Sequence, residues 1–282
     1  MTLFCITYPE KNRNILRYLR EACDKRKIDF KIISPDEFDY TAPPEIAPGD
    51  LVYRVSISSD AMSVENFLLR EDTITFYSNF DRALSTYAYY HYDFSVHAKA
   101  GLPIPKTIYH LPKNRDLLRR AVDYLGGFPV IVKVLGASHG VGVMKVDTYS
   151  SLFSMVDFLR RHKQDAVIRQ YIDVVKSARL VVLGDKVIDS IEYTAPEGDF
   201  RSNAGHKPNV AVKEFSEEIR ETAVRAVAEC KVEFGGVDIL VDKAENIYLA
   251  EVNFPCNFAR AQALTGVDIA GLMLDYLLGK RD

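Results

Sequence analysis

Two short apolar runs near the C-terminal end, residues 236–241 and 247–253, carry acidic and amide side chains where buried strands usually carry none. Residues 243–246, between the runs, have the composition of a hairpin turn. Glu251 and Asn253 stand two apart in one predicted strand, so they point to the same face, and Asp238 lies in the other. Three oxygen-bearing side chains on one surface indicate a site for a hard cation such as Mg²⁺. The alternative is a hairpin with polar residues on its solvent face.

Length and composition place the chain among soluble globular proteins. Its 282 residues are many for a single hydrophobic core and predict two or three subdomains. Hydrophobic residues make up 48% and charged residues 27% of the chain. The net charge of −3 disfavours a general nucleic-acid binder, whose binding domain is usually basic.

The cysteines and the N-terminal segment indicate a cytoplasmic protein. Four cysteines, none in a CxxC pair, disfavour a zinc site and predict free thiols in a reducing cytosol. The first six residues have no basic leader and predict a β-strand rather than a signal peptide. No apolar run reaches the length of a membrane span, so we expect no membrane contact.

Strand and helix patterns alternate from residue 3 to residue 69, which predicts a small α/β domain with a parallel sheet. This domain is expected to cover residues 1–78, and a second domain residues 79–282. Residues 82–100 form a tyrosine-rich segment with helical spacing, which we interpret as a packed amphipathic helix.

A lysine and a glycine-rich loop indicate phosphate binding. Residues 128–135 are apolar except for Lys133, and a lysine in a buried strand needs a partner charge, which a nucleotide phosphate would supply. The alternative is an edge strand whose lysine reaches solvent. Residues 136–142 follow directly, and their small side chains let backbone N–H groups approach an anion. The loop has neither the Walker spacing nor the helix that follows a Rossmann fingerprint.

The order of these features resembles the ATP-grasp fold. The lysine strand and glycine loop are followed by Val-Ile-Arg-Gln-Tyr-Ile at 167–172, then by the acidic pair of strands. Residues 197–203, Glu-Gly-Asp-Phe-Arg-Ser-Asn, with His206 and Lys207 after them, are similar to the signature of RimK-type ligases, whose type member adds glutamates to a ribosomal protein. Residues 265–270 also resemble that subfamily.

The resemblance implies a mixed α/β (α+β) ATP-grasp fold, preceded by the small parallel α/β domain. Within the second domain, roughly residues 105–172 would form a lid and ATP-binding subdomain. Residues 173–282 would form the catalytic subdomain, with the nucleotide between the two.

The resemblance also implies a role for each position of the motifs. The metal ligands, holding two Mg²⁺ ions between the ATP phosphates with Mn²⁺ as an alternative, would be Asp238, Glu251 and Asn253. The nucleotide-binding positions would be Lys133, Gly136, Ser138, His139, Gly140, Gly142, Gln170, Tyr171 and Ile172. The catalytic positions would be Arg179, Arg201 and Asn203. The substrate-binding positions would be Lys207 and Asn257.

The sequence departs from the family pattern mainly on the substrate side. The Asp-Lys pair that usually precedes the Gly-x-Pro-x-Pro segment is Tyr89-Tyr90 here, so an ATP-contacting lysine is missing. The resemblance implies that residues 170–172 form a hinge segment against adenine, and Gln170 stands where the family has an acidic residue. The Ser-Pro-Gly expected after the metal motif is Pro-Cys-Asn here. The cysteine of that tripeptide, Cys256, is either a nucleophile or a packed side chain, and we favour packing because activation cannot be read from sequence.

We therefore expect an ATP-dependent carboxylate–amine ligase that works through an acyl phosphate. It would add an amino acid such as glutamate to a small molecule, a peptide or a protein tail. One alternative is a peptide-tailoring ligase that makes side-chain amides or esters. Another is an ATP-binding regulatory protein without turnover. A homodimer or homotetramer is expected from related ligases.

Overall fold

Three β-sheets follow one another along the described part of the chain, which in this computed structural model comprises residues 1–81, 89–136, 140–195, 199–201 and 209–280. The side chains of residues 89–93 are not described. The strands are β1 (Thr2–Ile6), β2 (Asp29–Ile33), β3 (Leu51–Arg54), β4 (Thr107–Ile108), β5 (Val130–Val134), β6 (Val143–Val146), β7 (Ala166–Gln170), β8 (Val174–Leu183), β9 (Lys186–Thr194), β10 (Asn209–Val212), β11 (Phe234–Asp242) and β12 (Ile247–Asn253). The helices are α1 (Arg13–Arg26), α2 (Ser59–Leu68), α3 (Tyr89–Lys99), α4 (Arg115–Leu125), α5 (Tyr149–Arg161), α6 (Glu217–Glu229), α7 (Ala259–Thr265) and α8 (Ile269–Gly279), with a 3₁₀ turn at Pro35–Glu37.

The N-terminal sheet has the order β2-β1-β3, and its strands are parallel, as the alternating pattern predicted. Helix α1 repeats its apolar residues at helical spacing, and this face is buried. The helix ends at Arg26, and the capping residue Lys27 adopts the left-handed conformation with φ of 56°. The small parallel α/β unit is confirmed.

The second sheet has the order β4-β7-β5-β6 and is antiparallel. It has its own core, in which Leu118 and Leu125 of α4 and Leu152 of α5 pack on Val130 and Ile168. Strand β5, which carries Lys133, lies between β7 and β6. The alternative of an edge strand with a solvated lysine is therefore wrong, because both sides of β5 are paired.

The third sheet has the order β10-β9-β8-β11-β12 and is antiparallel. Its β11–β12 hairpin confirms the turn expected between the two apolar runs. Its core is continuous with that of the N-terminal sheet through buried residues of α6, α8 and both sheets. Arg26 of α1 also donates two hydrogen bonds, each 2.7 Å long, to Asp275 of α8. The domain boundary at residue 78 stays a prediction.

The predicted elements agree with the structure apart from their ends and a few short elements that were not expected. The helix expected over 82–100 is described from Tyr89 onward, and residues 82–88 lie outside the described part. The two-residue strand β4, the four-residue strand β10 and the seven-residue helix α7 were not expected. In the described residues, no single helix has the length and composition to cross a membrane, and the bent pair α7–α8 meets that test only jointly, with 116° between the helices.

Candidate active site

A cavity lies between the second and third sheets and brings together most of the predicted site residues. The predicted residues that line it are Lys133, Gly140, Gln170, Tyr171, Ile172, Arg201, Asp238 and Glu251. Arg179 and Asn253 are hydrogen-bonded to this set. Residues more than one hundred positions apart thus meet because two sheets close over one another.

The two acidic residues and the amide form one cluster. Asp238 on β11 lies directly opposite Glu251 on β12 in the strand pairing. The Nδ2 group of Asn253 donates to Asp238 Oδ2 and to Glu251 Oε1, at 3.2 Å in both cases. The three side chains that the sequence predicted on one surface therefore lie together and are connected by hydrogen bonds.

Each carboxylate of the cluster faces a cation. Lys133 on β5 forms an ion pair with Glu251 across the cavity, and Arg179 on β8 donates to Asp238 Oδ2 at 2.9 Å. Burial raises the pKa of Asp238 above its ordinary value, although Arg179 opposes the shift. Burial also opposes ionisation of Glu251, but the charge and hydrogen bond of Lys133 outweigh it and lower the pKa of Glu251.

Gly236 makes room for Arg179. A Cβ atom at this position would stand 2.6 Å from Cζ of Arg179, 2.5 Å from its Nη2 and 2.7 Å from Sγ of Cys256. Sequence reasoning treated Gly236 only as the start of a strand. A glycine inside a buried strand, two residues before an acid, often marks the close approach of another group, and this pattern could have pointed to Gly236.

Cys256 is packed against this arginine and not activated. Its side chain is buried, and Nη2 of Arg179 lies 3.8 Å from its Sγ. Burial raises the pKa of the thiol, with Arg179 opposing the shift, so thiolate is scarce at neutral pH. The expectation of a packing cysteine is confirmed.

The cluster fits a magnesium ion by its chemistry. No group of three or more His, Cys, Asp or Glu residues comes together in the described ranges, so the candidate ligands are two carboxylates and one amide. All three offer hard oxygen atoms, and Mg²⁺ commonly takes one or two carboxylates and completes its shell with phosphate and water. The number of ions stays a prediction.

The hinge segment is fixed to the strand beside it. The backbone N–H of Gln170 donates to the carbonyl of Lys106 at 2.9 Å, and Lys106 N–H donates to Gln170 Oε1 at 3.3 Å. The ammonium of Lys145 lies 4.5 Å from the centre of the Tyr171 ring. This leaves the backbone from Gln170 to Ile172 at the cavity wall.

The glycine loop uses the backbone freedom of glycine. Gly136, Gly140 and Gly142 have φ values of 78°, 73° and 77°, a region that other residues rarely adopt. Arg201 donates to the carbonyl of Gly140 at 3.0 Å and is held by two bonds to Asp199. The RimK-like segment therefore touches the loop directly.

Some predicted positions are not joined to this cluster. Ser138, His139, Asn203 and Lys207 lie outside the described residues. Asn257 is exposed and lines a second cavity, where its Oδ1 accepts from the N–H of Ala259 at 3.3 Å.

The second cavity lies between the start of α1 and the residues after β12. The basic residues that line it are Lys11, Arg13, Arg17 and Arg260. The Arg260 side chain hydrogen-bonds to Tyr193, which lines the first cavity, so the two cavities are neighbours.

Arg169 lines the first cavity and was not assigned a role from the sequence. It lies in β7, beside the hinge, and only 6% of its surface is exposed. A charged residue inside an apolar strand is the same signal that singled out Lys133, and it could have been applied here.

The model of one protein family, described as the RimK-like ATP-grasp domain, matches residues 93–277. Ribosomal protein bS6–L-glutamate ligase of Escherichia fergusonii is 34% identical over 184 residues, which are 64% of this chain and 60% of that protein. A probable alpha-L-glutamate ligase of Citrobacter koseri is 33% identical over 184 residues, with the same coverage. The chain thus spans about 60% of the length of these curated relatives.

Solved structures are similar over nearly the whole chain. The ATP-grasp ligase PsnB complexed with a minimal precursor gives a TM-score of 0.76 at 16% identity and covers 99% of both chains. D-alanine–D-alanine ligase of Bacillus anthracis complexed with ATP gives 0.71 at 18% identity, over 100% of this chain and 96% of that one. At such identities the similarity is one of fold, and it confirms the fold expected from the sequence.

Proposed function

Because the chain belongs to the RimK-like ATP-grasp family, we propose that it is an ATP-dependent carboxylate–amine ligase that forms an amide through an acyl phosphate. The observation that carries the proposal is the cluster of Asp238, Glu251 and Asn253 facing Lys133 and Arg179 in a cleft between two sheets. The ligase names of the matched relatives support it.

The nucleotide would lie in this cleft with its base at the hinge. The backbone of Gln170 to Ile172 offers N–H and carbonyl groups to adenine, and the apolar side chains of Ile131 and Leu240 line the same cavity. Lys133 would neutralise phosphate charge, and the glycine loop would offer backbone N–H groups to it. Asp238, Glu251 and Asn253 would hold Mg²⁺, which neutralises phosphate charge when bound.

The reaction needs positioning more than covalent catalysis. An oxygen of the substrate carboxylate attacks the γ-phosphorus of ATP, and the bond to ADP breaks. Arg179, fixed by Asp238 and Cys256, would stabilise the negative charge of the transferred phosphoryl group. An amine then attacks the acyl carbon, phosphate leaves with the bonding electrons, and the amine loses a proton.

The acyl phosphate must be kept from water during this sequence. The glycine loop is the natural lid, and Arg201 ties it to the RimK-like segment through Gly140. Asn203 and Lys207 of the same segment are proposed to contact the substrate. No protein nucleophile is required, in agreement with the buried thiol of Cys256.

The second cavity is proposed to admit the other substrate. It holds Asn257 and carries Lys11, Arg13, Arg17 and Arg260. Basic side chains attract carboxylates, so an acidic amino acid such as glutamate or an acidic peptide fits this surface. The glutamate ligase names of the matched relatives support the same substrate class.

The test is a screen for ADP release from ATP and Mg²⁺, with amino acids, peptides and extract metabolites as substrates and mass spectrometry of the products. The expected result is ADP release that depends on one amino acid and an acceptor mass that grows by that amino acid less one water. Glu251→Gln is expected to lower turnover by more than about a hundred-fold, because it removes a charged ligand from the phosphate site.

The matched control is Glu245→Gln, since Glu245 lies exposed in the hairpin turn and pairs with Lys176. Turnover of this variant is expected to equal that of the unmodified protein. Full turnover of Glu251→Gln would contradict the metal and phosphate assignment. ATP binding without ADP release under any mixture would favour a regulatory role.

A second candidate function is tailoring of a peptide by side-chain amides or esters. The structural similarity to PsnB with its bound precursor, over 99% of both chains, favours this candidate. The same screen separates the two functions. Tailoring within one peptide removes water from that peptide and adds no amino acid, whereas the proposed ligase makes a heavier acceptor.

A further inference from the structure

Arg169 is held between three elements. Its Nε donates to Thr107 Oγ1 on β4 at 3.2 Å, and its Nη1 donates to the carbonyl of Ala250 on β12 at 3.0 Å. Its guanidinium lies 4.6 Å from the centre of the Phe94 ring on α3. The side chain therefore joins the second sheet, the third sheet and α3 at the floor of the first cavity.

The charge of Arg169 has no counter-charge of its own. It forms no salt bridge with the residues that the structure describes, and within them its buried Nη2 has no hydrogen-bond partner. The acid whose field reaches it, Glu251, is already paired with Lys133. A buried cation without a partner is costly, which points to an anion that completes the site when it binds.

Electrostatics support this description. Burial lowers the pKa of Arg169 to about 10, and the charge of Glu251 only partly opposes the shift. The guanidinium is still protonated at neutral pH, so the protein carries a desolvated positive charge there.

Arg169 and Lys133 share one face of the second sheet. Val167 pairs with Lys133 and Arg169 pairs with Ile131 in the β5–β7 register, and side chains of paired residues lie on the same face. Both cations lie over the Phe94 ring, with the Lys133 ammonium 5.8 Å from its centre. A polyphosphate that contacts Lys133 is therefore close to Arg169.

We propose that Arg169 binds the phosphate groups of the nucleotide as a second cation beside Lys133. The ligand class is a nucleoside di- or triphosphate, and the inference rests on the proposed function. The family resemblance implies an ATP-contacting lysine at position 90, where this chain has a tyrosine, so Arg169 would supply a positive charge that the sequence lacks there.

The test is the affinity of the protein for adenosine, ADP and ATP with Mg²⁺, measured by calorimetry. Arg169→Met removes the charge, and Arg169→Gln removes it while keeping a donor for Thr107, in case the first variant does not fold. Loss of a charge-assisted hydrogen bond is expected to weaken ADP and ATP binding by about ten- to a hundred-fold. Adenosine binding is expected to change less than about two-fold, and Arg169→Lys to restore most of the preference for phosphates.

The control is Arg160→Met, because Arg160 lies on α5, outside the cleft, and its guanidinium donates, among the residues that the structure describes, only to the carbonyl of Leu111 at 3.1 Å. Its affinities are expected to match those of the unmodified protein. Equal weakening of adenosine, ADP and ATP in the Arg169 variants would show a structural brace and overturn the inference, as would unchanged affinities. If the unmodified protein binds no adenine nucleotide, the proposed function fails together with this inference. If it binds ATP and only the Arg169 variants behave against expectation, this inference alone fails.

Discussion

Replacing Gly236 with alanine is expected to displace the guanidinium of Arg179 and so lower turnover in a protein that stays folded. The new Cβ would stand 2.6 Å from Cζ of Arg179, whereas carbon atoms in contact prefer about 3.5 Å or more. The guanidinium must therefore move by about 1 Å. Its 2.9 Å bond to Asp238 is then lost or stretched, because the arginine is also confined by Cys256.

The expected effect is a loss of turnover and not a loss of the folded state. A displacement of about 1 Å in a positioning group costs roughly a hundred-fold in turnover. Two of the clashing atoms belong to the far end of the Arg179 side chain and the third is the buried Sγ of Cys256, so the overpacking should cost about 1–3 kcal/mol, which leaves a fold of ordinary stability intact. ADP release should therefore fall by about a hundred-fold in a protein that still unfolds cooperatively.

Gly235→Ala is the matched control for this experiment. Its Cβ would meet Cγ2 of Val227 at 3.0 Å, on the core side of the same strand, and would not contact Arg179. It should also lower stability, because Val227 must shift by a few tenths of an ångström, while turnover stays within about three-fold, since no group of the site moves. Turnover and denaturant midpoints are measured for both variants. Equal turnover in Gly236→Ala and Gly235→Ala would refute the role assigned to Arg179.

Two further predictions concern metal and pH. Removal of divalent cations with EDTA is expected to abolish ADP release and leave the unfolding midpoint of the ligand-free protein unchanged, because Lys133 and Arg179 already pair the two carboxylates; a lower midpoint would contradict this. Burial lowers the pKa of His97 below its ordinary 6.5, helped by Arg169 and opposed by the carbonyl of Ala226 and by Glu229. The unfolded chain therefore takes up the proton first as pH falls, so stability is complete above pH 6.5 and falls below it, by up to about 1.4 kcal/mol per pH unit. The free energy of unfolding is measured by denaturant titration at pH 7 and pH 5.5. His97→Gln should remove this part of its pH dependence, and the exposed His162→Gln should keep it. An equal change of the free energy of unfolding with pH in both variants would refute the assignment.

The acidic cluster could be predicted because its geometry is local. Glu251 and Asn253 share a face through the two-residue period of a strand, and a short turn brings Asp238 opposite them. The small parallel domain was predictable for the same reason, since helix and strand periods alternate over its whole length. Sequence patterns thus predict local units, such as one hairpin or one amphipathic helix and the strands next to it.

Contacts between distant segments could not be predicted in this way. Lys133 was expected to need a counter-charge, but its partner Glu251 lies 118 positions further along the chain. The space that Gly236 leaves for Arg179 depends on the packing of two adjacent strands. The strand β4 is only two residues long, and pairing with β7 rather than its own pattern makes it a strand.

The most direct test of the central claim is the fate of oxygen from the carboxylate substrate. With a substrate labelled with ¹⁸O in its carboxylate, ATP, Mg²⁺ and the amine, the released phosphate is analysed by mass spectrometry. An acyl-phosphate ligase transfers one labelled oxygen from the carboxylate to phosphate and releases ADP. Label in AMP, or phosphate without label while the amide forms, would contradict the account.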